Sequence, residues 1–229
     1  SIIGFNTLAM ESGELTEFAE SFIKASLTSA EALLGLINQI LDFAKFEGAK
    51  DLKGGGASIE LNSDVWTVRQ LVEQVTDLTQ KASVRGVDLV ITLASPEHFN
   101  TKFVGDFFRL RQCCVNLVDN AINYTPSGGM VTIRLLVDPF SHVLVLQVED
   151  NGPGIPADER SLVLQPFYRS LGTNVDGSGL GLAIVQEIAQ QMQAVIEMSD
   201  ASANRKPPGL LVTVRFPAPA PQTELAHHP

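Results

Sequence analysis

Asn116-Leu-Val-Asp-Asn120-Ala-Ile-Asn-Tyr124 is the stretch on which the reading of the chain turns. It closes a run from Asp106 to Tyr124 that keeps helical periodicity throughout. Asn116 and Asn120 stand four apart and so share one helix face. Cys113, Leu117 and Ala121 form an apolar face turned towards a sheet. Two carboxamides on an otherwise buried helix need partners, because an unsatisfied buried amide costs roughly 1–3 kcal/mol. A hard cation bridged to phosphates would satisfy them. A helix cap or a polar crossing to solvent would serve equally well.

Two further segments follow. In Val148-Glu-Asp150-Asn-Gly152-Pro-Gly154-Ile155 an apolar strand ends in an acid and a Gly-Pro-Gly turn. Alone, this is a common way to end a strand. It also suits an Asp150 that accepts a hydrogen bond from an amine on a planar ligand, with the glycines allowing close backbone approach. Gly177-Ser-Gly179-Leu-Gly181-Leu-Ala-Ile184 is a glycine-rich loop that opens into an apolar helix, where backbone N–H groups favour phosphate. It is neither a Rossmann loop, since position 182 is Leu, nor a Walker A loop, since no Lys-Ser/Thr follows. By itself it is balanced between a phosphate site and a plain turn.

Around these segments the pattern is mixed. Strands are expected at Ser58–Leu61, Val87–Leu93, Met130–Val137, His142–Glu149, Val195–Ser199 and Leu210–Phe216. Helices are expected at Val68–Lys81, with Leu71, Val75 and Leu78 on one face, at Asp106–Tyr124 and at Gly179–Gln193. Asp138-Pro-Phe-Ser141 reads as a hairpin loop, and the loop before the last strand ends at Gly209. This is the signature of an α/β sandwich, a mixed sheet with helices on one face. It occupies residues 58–216, and the Pro/Ala-rich tail 217–229 reads as disordered.

Residues 1–53 read as helical, ahead of the flexible Lys53-Gly-Gly-Gly-Ala57. Ala30, Leu33, Ile37, Ile40 and Ala44 recur in steps of three and four, widened by Leu34 and Leu41, as in a bundle face. Gly13 marks a turn, which makes Ser1–Ser12 the end of a preceding antiparallel helix and starts the second near Leu15–Thr16. Two helices bury too little surface alone. Self-association into a four-helix bundle is the simplest solution, and packing of the hairpin on its own globular domain is the other. The fold class is therefore α+β: a helical hairpin, half of a dimeric four-helix bundle, followed by an α/β sandwich.

The bulk numbers narrow the function. A net charge of −10 over 229 residues argues against nucleic acid as a partner. It does not forbid a bound anion, because local donors outweigh global charge at a tight site. No run of about 18 apolar residues is present to span a membrane. The two cysteines, Cys113 and Cys114, are adjacent in an apolar pattern, so they pack as small hydrophobes and form no disulfide framework or zinc site. A cytoplasmic location is expected, with room for membrane attachment in a longer parent.

In this order and at these spacings the three segments closely resemble the N, G1 and G2 boxes of the Bergerat-fold ATPases, and Phe167-Tyr-Arg169 resembles their F box. Within that superfamily the resemblance is to sensor histidine kinases of two-component systems. Asp106-Phe-Phe-Arg109-Leu-Arg-Gln112 looks like their lead-in to the N box. Leu33 to Glu47 looks like the second helix of their dimerisation and phosphoacceptor domain. The resemblance covers Ser1 to about Phe216.

The resemblance implies the following roles. Asn120 would hold Mg²⁺ bridging the ATP phosphates, with Asn116 beside it. In hydrolysing relatives that earlier position is a Glu that activates water. An amide cannot act as a base, which suits transfer to a histidine. Asp150 would bind the adenine amino group, with Gly152, Gly154 and Ile155 shaping the pocket and Tyr124 lining its wall. Gly177, Ser178, Gly179, Leu180, Gly181 and Leu182 would cradle phosphates, 171–176 would form a lid, Phe167 would border the site, and Arg169 would neutralise γ-phosphate charge. ATP or ADP, Mg²⁺, a second copy of the chain and a response-regulator receiver domain are the implied ligands and partners.

Two positions depart from the family pattern. Asn123 stands where a Lys is usual, so a phosphate-facing charge is missing. The family phosphorylates a His in a box on the first helix, whereas the histidines here are His98, His142, His227 and His228, none in such a box. The opening Ser-Ile-Ile-Gly-Phe resembles the stretch just past that box, which places the acceptor roughly eight residues before Ser1. The residues given would then bind ATP without phosphorylating themselves. The alternative is a non-catalytic nucleotide-binding and dimerisation module. A chaperone or topoisomerase ATPase is disfavoured, because position 116 is not Glu and the helical hairpin fits poorly.

Overall fold

The computed structural model describes residues 2–11, 16–51, 61–93, 99–138, 141, 143–170 and 178–217. Ser1–Gly54 and Gly55–Pro229 are separate compact units. The first contains α1 (Ile2–Glu11) and α2 (Glu17–Asp51). Thr16 starts α2, its hydroxyl accepting from Ala19 N at 3.3 Å. Asn6 Nδ2 donates to Ser26 Oγ at 2.9 Å and ties the two helices together. Leu33, Leu34, Ile37, Ile40 and Leu41 of α2 are 44–57% exposed, so this unit leaves its apolar stripe uncovered. The turn expected at Gly13 lies outside the described residues.

The second unit is the sandwich. Its five-stranded sheet has the order β2-β4-β5-β7-β6, built from Asp88–Leu93 (β2), Met130–Val137 (β4), Leu144–Asp150 (β5), Val195–Asp200 (β6) and Leu210–Phe216 (β7). β2 runs parallel to β4 and every other pair is antiparallel. Burial alternates along β5, so Leu146 and Val148 face the core with Ile133 and Val214. The other face carries polar pairs: Arg134 with Glu149 at 2.6 Å, Gln147 with Thr213 at 3.3 Å, and Arg215 with Glu197 at 2.6 Å. Two helices cover the core face: α5 (Phe107–Tyr124), through Leu110, Cys113, Leu117 and Ala121, and α6 (Gly181–Gln191), through Ile184 and Ile188. The thiols of Cys113 and Cys114 are free and buried, and burial pushes Cys114 up to about 12 and Cys113 higher still.

The structure departs from the sequence reading at several places. Leu61 is not in a strand, and 58–60 lie outside the described residues. The strand here is instead β1 (Asp64–Thr67), which pairs with an unanticipated β3 (Lys102–Gly105) and stacks Trp66 on Phe103 at 4.9 Å. Thr67 ends that strand and caps the next helix in a reciprocal box with Gln70. The helix expected at Val68–Lys81 breaks into α3 (Val68–Thr76) and α4 (Thr79–Val84). Thr76 and Thr79 turn their hydroxyls back onto the Val72 and Thr76 carbonyls there. Leu78 is only half-buried and Ala82 takes the core position after the break. Asp106 is the cap of α5, accepting from Arg109 N at 3.0 Å, and is not its first turn. α6 starts at Gly181 and not at Gly179, whose φ of 69° is incompatible with a helix. The expected tail, past Pro217, lies outside the described residues.

Candidate functional site

Of the residues picked from the sequence, Asp150 and Gly152 meet Tyr124 and Leu210 where β5 ends and β7 begins, and Asn116 on α5 faces Gly181 at the start of α6. Asp150, the last residue of β5, is 6% exposed. Its Oδ1 accepts from Gly152 N at 2.8 Å and Leu210 N at 3.3 Å. Among the described residues no donor reaches Oδ2. Burial pushes this carboxyl up to about 6, the two backbone donors offset part of the rise, and neighbouring Glu149 adds to it. Asp150 is thus a buried acid with one oxygen held by the backbone and the other available to a donor.

The turn after it is pressed against α5. A Cβ on Gly152 would lie 2.8 Å from the Tyr124 carbonyl oxygen and 3.0 Å from Asp150 Oδ1, so only glycine fits. Tyr124, the last residue of α5, lines a cavity of about 550 Å³ together with Arg85, Asn123, Ser127, Gly152, Pro153 and Pro207. Of the picked residues the cavity is lined by Asn123, Tyr124 and Gly152, whereas Asp150, Asn116 and Asn120 lie outside its lining.

On α5, Asn116 Nδ2 donates to the Gln112 carbonyl at 3.0 Å. Its Oδ1 faces α6: a Cβ on Gly181 would lie 3.9 Å away from it. The side chain of Asn120, half-buried one turn on, has no hydrogen-bond partner among the described residues. Two amide oxygens on one face suit a hard cation such as Mg²⁺, whose remaining ligands come from phosphates and water. Among the described residues no group of three or more His, Cys, Asp or Glu forms a metal site of its own. Asn123 is engaged elsewhere. Its Nδ2 donates to Asp119 Oδ2 at 3.1 Å, Asp119 is ion-paired with Lys81, and Arg85 Nη2 donates to the Asn123 carbonyl at 3.0 Å.

At the start of α6, Gly179 packs on Phe167 and Tyr168. Phe167 N donates to its carbonyl at 3.0 Å, and a Cβ there would lie 2.9 Å from Phe167 C. Phe167 holds a φ of 64° and is 63% exposed, so its ring walls no buried pocket. Ser178 Oγ accepts from Leu180 N at 3.2 Å. Leu180 and Leu182 bury their side chains, and the Leu180 backbone is engaged at both ends, by Ser178 Oγ and by Ile184 N. Ile155 is half-buried and Arg169 is exposed. Gly177 and the expected lid, 171–176, lie outside the described residues.

Sequence reasoning missed Gly209 and Leu210. Gly209 was legible only as the end of a loop, yet a Cβ there would lie 2.1 Å from the Asp150 carbonyl oxygen. It also missed the Lys81–Asp119 pair, whose members sit on different helices.

Residues 105–220 match the family described as histidine kinase-, DNA gyrase B-, and HSP90-like ATPase. Over 162 residues the chain is 35% identical to the signal transduction histidine-protein kinase/phosphatase MprB of Mycobacterium bovis, covering 67% of this chain and 32% of that protein. Full-length ShkA in complex with AMPPNP superposes with a TM-score of 0.71 and 26% identity, over 96% of this chain and 43% of that one. Histidine kinase ThkA in complex with response regulator protein TrrA shares the fold, with a TM-score of 0.63 and 21% identity over 95% of this chain and 57% of that one. The chain spans about a third or less of the length of the curated relatives it matches.

Proposed function

Because the chain belongs to the histidine kinase-, DNA gyrase B-, and HSP90-like ATPase family, as a sensor histidine kinase catalytic core, we propose that it binds Mg²⁺–ATP and transfers the γ-phosphate to a histidine upstream of Ser1, for relay to a receiver-domain aspartate. The observation that carries the nucleotide reading is the buried Asp150, with one carboxylate oxygen held by Gly152 and Leu210 and the other open to an amine. Asp150 binds the adenine amino group, and Gly152, Gly154, Ile155 and Tyr124 shape the base pocket. Asn120, with Asn116 beside it, holds Mg²⁺. Backbone N–H groups from Gly177 to Leu182 receive the phosphates at the start of α6. Phe167 borders the site and Arg169 neutralises charge as it develops.

When bound, ATP supplies the phosphoryl group: its γ-phosphorus gains a bond to an imidazole nitrogen and loses its bond to ADP, which leaves with the electron pair. What this chain contributes is orientation and, at position 116, an amide in place of a base. Asn116 donates one N–H to the Gln112 carbonyl and turns its amide oxygen towards α6, and an amide at this position does not deprotonate water. Asn123, turned onto Asp119, supplies no cation. That observation favours the second reading, a non-catalytic nucleotide-binding module.

Calorimetry tests the proposal. The chain is expected to bind ADP with a dissociation constant on the order of micromolar when Mg²⁺ is present. Asn120→Ala removes about tenfold or more of that affinity, the scale on which metal sites respond to a lost supporting group, and abolishes the difference between Mg²⁺ and EDTA. Equal Mg²⁺ dependence in both proteins would remove Asn120 from the metal site. With the natural upstream sequence attached, acid-labile phosphate incorporation separates the kinase from the non-catalytic alternative.

Dimerisation through residues 1–53 belongs to the same proposal, as do a receiver-domain partner and a cytoplasmic location. The uncovered stripe of α2 supports the dimer. Ile37→Glu places a charge in it and is expected to shift the chain to monomer by at least about tenfold in dimer dissociation constant. Sedimentation equilibrium reads this, and an unchanged association would refute the stripe as the interface.

A further inference from the structure

Arg160 follows the Gly152-Pro-Gly154 turn and joins three places with one guanidinium. Nε donates to the Ile155 carbonyl at 3.1 Å, Nη1 donates to the Met198 carbonyl at 3.4 Å, and Nη2 pairs with Asp200. Met198 and Asp200 lie on β6, which among the described strands is an edge bonded only to β7. The Arg160 side chain is 21% exposed, so its two carbonyl contacts are screened less than those of a surface group, while Asp200, 47% exposed, leaves the ion pair open to solvent. The opposite side of the turn rests on β7: Leu210 N holds the Asp150 carboxylate, and a Cβ on Gly154 would lie 2.9 Å from the Gly209 carbonyl oxygen. The turn is therefore gripped by β7 on one side and by Arg160, through β6, on the other.

We propose that Arg160 is a positioning residue for base selection: by fixing the Ile155 carbonyl to the end of β6 it holds the Ile155 wall at a set distance from Asp150. This rests on the nucleotide reading above. The chemistry at stake is the choice between an amino-purine and an oxo-purine. Adenine offers its amine to the free oxygen of Asp150, whereas guanine offers a carbonyl, which sets acceptor against acceptor. A fixed wall keeps the base from sliding out of that mismatch, and a loosened wall lets it slide.

The test is calorimetry on the full chain with Mg²⁺–ADP and Mg²⁺–GDP, well below every melting midpoint. Arg160→Gln is expected to weaken ADP binding about tenfold, the scale of one lost charge-assisted hydrogen bond, and to leave GDP little changed, so the ADP/GDP preference falls by the same factor. Arg160→Lys keeps a charge opposite Asp200 but cannot span to Ile155. It is expected to recover the melting temperature without recovering the preference, and it carries the test if the Gln variant does not fold. Asp200→Asn leaves both carbonyl contacts and is expected to keep the wild-type preference.

A merely structural arginine would lower melting and leave the preference alone. An unchanged preference in Arg160→Gln, or an equal loss for both nucleotides, overturns the proposal. If the wild type binds neither nucleotide, the nucleotide reading fails and this inference falls with it. If the wild type binds ADP, Asp150→Asn does not, and Arg160→Gln behaves as wild type, only the role of Arg160 is lost.

Discussion

Replacing Asp150 by Asn is expected to abolish ADP binding and, at neutral pH, to raise the melting temperature. Both effects come from the same carboxylate. The amide keeps an oxygen for Gly152 N and Leu210 N, so the turn retains its two backbone bonds. It puts an NH₂ where the free oxygen stood, which sets donor against the donor of an adenine amine. A buried mismatch of this kind costs at least about 3 kcal/mol, or more than a hundredfold in affinity. The stability gain follows from burial. The carboxyl rises from an ordinary 3.8 to about 6 in the folded chain, so its ionised form is disfavoured there.

Below the unfolded value both states are protonated and no penalty exists. Between 3.8 and about 6 the penalty grows, and above about 6 it is complete, at roughly 3 kcal/mol. Asn carries no such penalty, so the variant is expected to melt about 6–12 °C higher at pH 7.5 and to converge with the wild type near pH 4. For the same reason wild-type ADP affinity should fall as pH drops below about 6, where Oδ2 becomes a donor. Scanning calorimetry at both pH values and titration with ADP check the set. A variant that binds ADP within a few-fold of wild type, or melts lower at pH 7.5, would refute the assignment.

The turn that carries Asp150 was legible because its signals are local: an apolar strand, an acid and two glycines within five residues. The long helix was legible because Leu110, Cys113, Leu117 and Ala121 repeat with its own period, and all are buried. What escaped depended on contacts between distant segments. β1 and β3 are four residues each, too short for alternation to declare itself, and they exist because Trp66 meets Phe103 across the register. The break between α3 and α4 carries no Gly or Pro and is set by two threonine back-bonds. Asn123 was legible as a missing charge, but its capture by Asp119, itself held by Lys81, was not. At Asp150 the donor in the next residues was foreseeable from the turn, while Leu210 N arrives from 60 residues away.

That distant partner explains why Gly209→Ala is expected to be the most damaging single methyl in the second unit. Gly209 has a φ of 71°, and an added Cβ would lie 2.1 Å from the Asp150 carbonyl oxygen, 3.1 Å from its carbon and 3.2 Å from Ala201 Cβ. The obstacle is backbone, so no side chain can swing aside. Relief requires separating the start of β7 from the end of β5, which breaks the Leu210 N bond to the Asp150 carboxylate and moves the surface on which Gly154 rests. Gly128 provides the internal scale, since its φ is 80° but nothing lies within 4 Å of an added Cβ. Gly128→Ala should cost only the left-handed backbone term, about 1–2 kcal/mol. Gly209→Ala should cost that plus the overlap, in total about 4 kcal/mol or more, with loss of ADP binding in whatever fraction still folds. Denaturant titration of the two variants side by side measures the difference. Equal destabilisation would mean that the contact between Gly209 and Asp150 is loose, and with it the claim that β7 holds the acid in place.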